Sequence, residues 1–235
     1  MASKRVLAFD FGASSGRAIL ATYADGKIAM QEIHRFSNDP VNLCGTLYWD
    51  VQRLFFEIKQ GITKAVHQGG FDAIGIDTWG VDFGLLDAHG QLVANPVHYR
   101  DERTVGMMEK AYEKVPQQEL YDRTGIQLMR LNTVFQLVSL AENRPDLLER
   151  AETMLLMPDL LAYFLTGAKY AEYSEVSTTQ MLDPKTGDWA YDLLERLGIP
   201  TRLLPKIIDA GTPYGTLRAD ICDELGCPAV PVIAV

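Results

Sequence analysis

Cysteine is scarce in this chain: Cys44, Cys222 and Cys227 make an odd number with no CxxC pair, and the four histidines fall in no ligand spacing. Neither a disulfide framework nor a zinc site is indicated, and a reducing cytoplasmic setting is expected. Positive charge is also in short supply, with 22 Lys and Arg against 31 Asp and Glu for a net charge of −9. Nothing in that balance draws the chain to nucleic acid or to an anionic membrane surface. No apolar run approaches the roughly 18 residues that a membrane span needs. The stretch after Arg5 stops at Asp10, too short for a signal peptide. Internal repeats and low-complexity tracts are missing as well. What remains is 235 residues, 47% apolar and 23% charged, the composition of a globular protein. A chain of this length buries roughly 70% of its unfolded surface, enough for a sizeable core.

Short apolar runs rich in β-branched and aromatic residues predict strands over 6–11 and 17–23. Asp25-Gly26 is a strong hairpin dipeptide, so Lys27 to Phe36 completes an antiparallel meander. Asp50 sits at an N-cap position, and Val51, Leu54, Ile58, Ile62 and Ala65 follow at three- and four-residue spacing. That pattern predicts a core-facing helix ending near Gly69-Gly70. Ala73 to Asp77 reads as another strand, and Phe83 to Leu86 with Gln91 to Ala94 read as a hairpin about His89-Gly90. Helical segments are expected near 104–114, 132–143, 158–165 and 189–197, and a strand over 230–235. The order β-β-β-α-β followed by mixed elements predicts an α/β fold in which helices flank a mixed sheet. The ending Pro228-Ala-Val-Pro-Val-Ile-Ala-Val235 is apolar throughout, so the chain is expected to stop part-way through a strand.

The strongest chemical signal is Phe9-Asp10-Phe11-Gly12-Ala13-Ser14-Ser15-Gly16-Arg17. Gly12, Ala13 and Gly16 let a turn's backbone approach a polyphosphate, Ser14 and Ser15 offer hydroxyls, and Arg17 adds positive charge. Asp10, at a strand end, is suited to hold Mg2+ directly or through water. The same residues also suit a plain surface hairpin. GxxxxGK[ST] is missing, which excludes a Walker loop. A second signal is Asp77-Thr-Trp-Gly-Val-Asp82, where Trp79 could wall a sugar face, Gly80 could permit close backbone contact and Asp82 could bind vicinal hydroxyls. The alternative is that Asp77 caps a turn and Trp79 belongs to the core. His98-Tyr-Arg-Asp-Glu-Arg-Thr104 reads as a solvated loop with a helix cap, and Asn132 and Gln136, four residues apart on one helix face, read as exposed side chains, with polar ligands as the alternative. A carboxylate trio of Asp10, Asp77 and Asp82 holding two metals, as in a nuclease, and a non-catalytic binding module are the competing readings.

Five motifs occur in a set order: Asp10 to Arg17, Gly75 to Phe83, Tyr99-Arg-Asp101 with Arg103-Thr104, Met157-Pro-Asp159 with Leu165-Thr-Gly167, and Thr178-Thr-Gln180. Together they resemble the FGGY carbohydrate kinases, which have an actin-like, ribonuclease-H-like ATPase fold, and within them the kinases of L-rhamnulose. The resemblance implies transfer of the γ-phosphoryl group of MgATP to the 1-hydroxyl of L-rhamnulose, with another ketose or a polyol as the alternative acceptor. It implies that Asp10 helps place Mg2+, that Gly12 to Arg17 face the phosphates of ATP, and that Trp79, Gly80 and Asp82 line the sugar site. The family's catalytic base is an aspartate in a His-Asp-Thr segment, and no His-Asp pair occurs in this chain. The base is therefore expected just beyond Val235. Residues 1–235 are expected to form an N-terminal kinase domain, inactive without a C-terminal domain that this chain does not contain.

Overall fold

The computed structural model describes residues 3–235. Strands β1 (Lys4–Phe11), β2 (Ser15–Ala24) and β3 (Lys27–Ser37) form the expected meander, each antiparallel to the next. Asp25 adopts φ +50° and Gly26 φ +74° in the second turn, the left-handed pair that a tight Asp-Gly hairpin requires. Two short strands, β4 (Val41–Leu43) and β5 (Thr46–Tyr48), precede α1 (Val51–His67). The Asp50 side chain accepts from the Arg53 backbone N–H at 3.0 Å and starts α1 as its sequence position dictates.

Next come β6 (Ala73–Asp77) and β7 (Phe83–Leu86). The helical part contains α2 (Met107–Lys114), α3 (Gln117–Thr124), α4 (Thr133–Asn143) and α5 (Pro145–Arg150). It continues through β8 (Thr153–Leu156), α6 (Met157–Thr166), β9 (Tyr170–Glu172) and α7 (Tyr173–Thr178). Two further strands, Pro213–Thr216 and Pro231–Ile233, complete the main sheet.

That sheet has six strands. Starting from its β3 edge, the order is β3, β2, β1, β6, Pro231–Ile233 and Pro213–Thr216. β6 runs parallel to β1, and Pro231–Ile233 runs parallel to β6, so the sheet is mixed as expected. Leu7, Phe9 and Phe11 alternate into the core beneath Leu54, Ile58 and Ile62 of α1, all at most 2% exposed. Gly61 lets α1 sit this close, because a Cβ there would meet the Phe9 ring at 2.6 Å. A second core gathers around Phe135, Leu137 and Val138 of α4.

Three expectations need correction. The turn at His89-Gly90 does form, with a bridge between Leu86 and Leu92. The continuous ladder of Phe83–Leu86, however, runs to Thr153–Leu156, about seventy residues away, and the pairing buries nearly all of both short, largely apolar strands. The helix expected over 104–114 is broken: Glu102–Thr104 makes one 3-10 turn, and Gly106 at φ +76° restarts the chain as α2. Trp189 is not helical but pairs with Leu182, and that helix begins at Tyr191.

Candidate functional site

The turn between β1 and β2 is closed by the Gly12 N–H, which donates to the Ser15 carbonyl at 2.9 Å. Asn38 braces it from outside: its side-chain amide donates to the Gly12 carbonyl at 2.8 Å and its backbone N–H to the Ser14 carbonyl at 3.0 Å. The backbone N–H groups of Ala13 and Ser14 have no acceptor among the described residues. Such a pair of free amides on a braced turn can receive an anion. Gly12 and Ser14 are exposed. Gly16 is not part of this outer surface. It is buried, and a Cβ there would strike the Phe36 ring at 2.2 Å, so its smallness serves packing.

Asp10 and Arg17 face each other across β1 and β2, and the Arg17 Nε donates to Asp10 Oδ2 at 2.8 Å. On its other side Asp10 is the register partner of Asp77 on β6. Burial and then the Asp10 charge push Asp77 above the usual carboxylate range. Two adjacent carboxylates at the ends of parallel strands, repelling each other beside that turn, are hard oxygen donors of the kind a Mg2+ ion takes together with waters and phosphates. Asp82 does not join them, and among the described residues no group of three or more ligands is placed to hold a metal. The nuclease trio is thereby dismantled.

Asp82 is instead wholly buried. Its Oδ2 accepts from Trp49 Nε1 at 2.6 Å, Trp79 Nε1 at 3.1 Å and the Tyr99 backbone N–H at 3.1 Å, while Oδ1 accepts from Gln136 Nε2 at 3.0 Å. Burial pushes its carboxyl up to about 6 despite those donors. Read from sequence as a ligand for sugar hydroxyls, Asp82 instead spends both oxygens on Trp49, Trp79, Tyr99 and Gln136 and holds them in place. Trp79 stacks on Trp49 with ring centroids 3.8 Å apart, and Trp49 stacks on His98 at 4.1 Å. Gly80 lies against Thr178, since a Cβ on it would fall 2.9 Å from Thr178 Oγ1. Val81 follows at φ +69°, a left-handed conformation costly for a β-branched residue. It is held by Thr178 Oγ1 on its N–H and by Thr133 Oγ1 on its carbonyl.

The sequence model of the "FGGY family of carbohydrate kinases, N-terminal domain" matches residues 5–235. The chain belongs to the FGGY family of carbohydrate kinases. It is 42% identical over 221 residues to a rhamnulokinase of Oceanobacillus iheyensis and 40% identical over 229 residues to one of Bacteroides thetaiotaomicron. These alignments cover 94% and 97% of this chain but 47% of each relative. The chain thus spans about half the length of the relatives it matches. A gluconate kinase from Lactobacillus acidophilus superposes with a TM-score of 0.87 at 19% identity, over 99% of this chain and 47% of that one. Plasmodium falciparum glycerol kinase with ADP gives 0.81 at 16%, over 98% and 48%. The shared fold is the actin-like ATPase fold anticipated above.

This FGGY domain also carries a buried acid, Asp159 of the Met157-Pro-Asp159 motif, and a partly buried one, Glu175, which no sequence motif contained. Asp159 Oδ1 accepts from the Tyr214 hydroxyl at 2.5 Å and from the Glu172 N–H at 3.0 Å, and burial raises it to about 7. Glu175 lies one helical turn before Thr178, and burial, then the charges of Asp159 and Asp77, push it up to about 8. A carboxyl that keeps its proton in the native state but loses it on unfolding makes stability fall as pH rises from the unfolded to the folded value. The melting temperature of this domain is therefore expected to drop between pH 6 and pH 8. Glu175→Gln should flatten that drop, and calorimetric melts at pH 6, 7 and 8 give the comparison. An equal drop in both proteins would refute the assignment.

Sequence reasoning left Trp49 aside and placed His98 in a solvated loop, whereas both are buried. The expectation that Asn132 and Gln136 are exposed is reversed: both are at most 1% exposed. Asn132 Nδ2 donates to Gln180 Oε1 at 2.8 Å, and Gln136 reaches Asp82. The available signal was their four-residue spacing at the start of α4, among Val134, Phe135, Leu137 and Val138, where a buried polar side chain needs a partner.

Proposed function

We propose that residues 1–235 are the first domain of an ATP-dependent kinase that phosphorylates the 1-hydroxyl of L-rhamnulose. The single observation that carries this reading is convergence. The Ala13–Ser14 amides, Asp10, Asp77 and the Trp79–Gly80 loop all lie at the same end of β1 and β6, where an open α/β sheet binds ligands. The rhamnulokinase relatives at about 40% identity support L-rhamnulose over other sugars.

In this reading Gly12 to Ser15 receive the ATP phosphates on backbone amides and hydroxyls, and Arg17 neutralises charge beside them. Asp10, with Asp77 next to it, would hold Mg2+ through water; the ion's part is to offset phosphate charge. Trp79 and Gly80 form the sugar's wall, and Asp82 keeps that wall in place. Pro231–Ile233 pairs in parallel with β6, Ile233 opposite Gly75. Residues following Val235 would emerge beside Asp77, and we assign the proton-accepting aspartate to that continuation, together with a second domain that closes over the nucleotide. The three free cysteines fit a reducing cytoplasm. Among the described residues no helix is long and apolar enough to cross a membrane.

The test is ADP release with MgATP and a panel of L-rhamnulose, D-xylulose, gluconate and glycerol. The 235-residue chain should release none above background, and the chain extended by its natural continuation should turn over fastest with L-rhamnulose. Turnover by the short chain sinks the two-domain reading, and a different preferred acceptor reassigns the substrate.

A further inference from the structure

A cavity of about 510 Å3 is framed by β5, β7, α4 and the 93–97 segment. Trp79, Gly80 and Tyr99 do not line it, and Arg103 and Gln136 separate it from Asp82. We propose that this cavity is a binding site for a small phosphomonoester with a hydroxylated body, such as a sugar phosphate.

The argument begins with unmatched groups. Arg103 donates through Nη2 to Gln136 Oε1 at 2.6 Å and lies 5.9 Å from the Phe83 ring centroid. Its Nε is buried with no acceptor among the described residues. Asn95 Oδ1, also on the cavity wall, is buried with no donor. Both atoms lie buried just beneath the cavity lining, and a ligand that draws the two side chains toward it satisfies them with an anionic oxygen and a hydroxyl.

Charge points the same way. Three arginines, Arg103, Arg144 and Arg150, line the space against a single carboxylate, Asp101. Both Asp101 oxygens are already taken, by the Leu47 N–H at 2.8 Å and the Arg103 N–H at 2.9 Å. At the rim Arg144 pairs with Asp146, while Arg150 has no carboxylate partner among the described residues. Guanidinium groups on a floor and a rim match the several oxygens and double charge of a phosphate better than one carboxylate. Ser139 and Asn143 supply further polar atoms for hydroxyls, and Leu85, Val93 and Leu147 supply apolar walls.

The probe is D-ribose 5-phosphate, titrated calorimetrically into the protein at fixed ionic strength, with inorganic phosphate and gluconate as the other arms. Because the Ala13–Ser14 turn is itself suited to phosphate, the titrations are repeated with Arg17→Ala. The expected result is 1:1 binding of the sugar phosphate that Arg17→Ala leaves unchanged and Arg150→Glu weakens about tenfold or more. Asn143→Asp, which adds repulsion at the rim, should do the same and serves if Arg150→Glu does not fold. No binding up to about 10 mM overturns the proposal, as does binding lost in Arg17→Ala but intact in both rim variants. Gluconate binding as tightly as ribose 5-phosphate overturns the phosphomonoester class. None of these outcomes depends on which sugar the domain phosphorylates.

Discussion

Asp82→Ala is expected to lower the melting temperature by about 10 °C and to red-shift the tryptophan emission. The substitution removes the acceptor of Trp49 Nε1, Trp79 Nε1 and the Tyr99 N–H, all at 2.6 to 3.1 Å. Gln136 keeps the Val81 and Leu131 carbonyls, so three donors rather than four are orphaned. An orphaned buried donor costs about 1–3 kcal/mol, and relief of the desolvation that raises Asp82 to about 6 offsets part of the sum. A net loss of about 3–5 kcal/mol follows, at about 2–4 °C per kcal/mol for a domain of this size. Asp82→Asn keeps one acceptor oxygen but turns an NH2 toward other donors, so its loss should be smaller, about 1–3 kcal/mol. Circular dichroism melts of both variants decide the matter. An alanine protein melting within a degree of the parent would mean that the buried carboxylate does not organise the wall.

Asp10→Asn should behave in the opposite manner: a large loss of function with no loss of stability. In the extended, active kinase kcat is expected to fall about a hundredfold or more, the scale of removing one electrostatic contact to the reacting phosphate. Stability should stay level or rise. The Asp10–Arg17 ion pair is partly exposed, with side chains 44% and 43% accessible, and contributes about 0–1 kcal/mol. Its loss is countered by removal of the repulsion that raises Asp77. A steady-state assay beside a thermal melt reads both quantities. Full activity in Asp10→Asn would remove Asp10 from the phosphate end of the site, and a large drop in melting temperature would make its role structural.

The two substitutions separate because the two carboxylates sit in unlike surroundings, and sequence pattern alone does not distinguish them. Each follows a short apolar stretch and each precedes an aromatic residue. β1 brings Asp10 to a sheet end open to solvent, whereas the strained turn at Val81 swings Asp82 inward beneath two indoles. The motif Asp77-Thr-Trp-Gly-Val-Asp82 was legible as a place where polar groups interrupt a strand. Its division of labour was not, because Trp49, Tyr99 and Gln136 come from segments 17 to 54 residues away.

The same contrast runs through the fold. Local periodicity and turn chemistry were enough for the meander, for α1 with its Asp50 cap and for the strand over 231–233, since each is specified by residues within a few positions of one another. The small-residue turn between β1 and β2 belongs with them, as its residues are contiguous. The tertiary structure alone decided that Phe83–Leu86 pairs with Thr153–Leu156, that Gly16 serves Phe36, that Asn38 braces the turn, and that Asn132 and Gln136 are buried. Those outcomes depend on which surfaces meet after collapse. A buried polar group is then fixed by whatever partner the other segments deliver, at a separation no local pattern encodes.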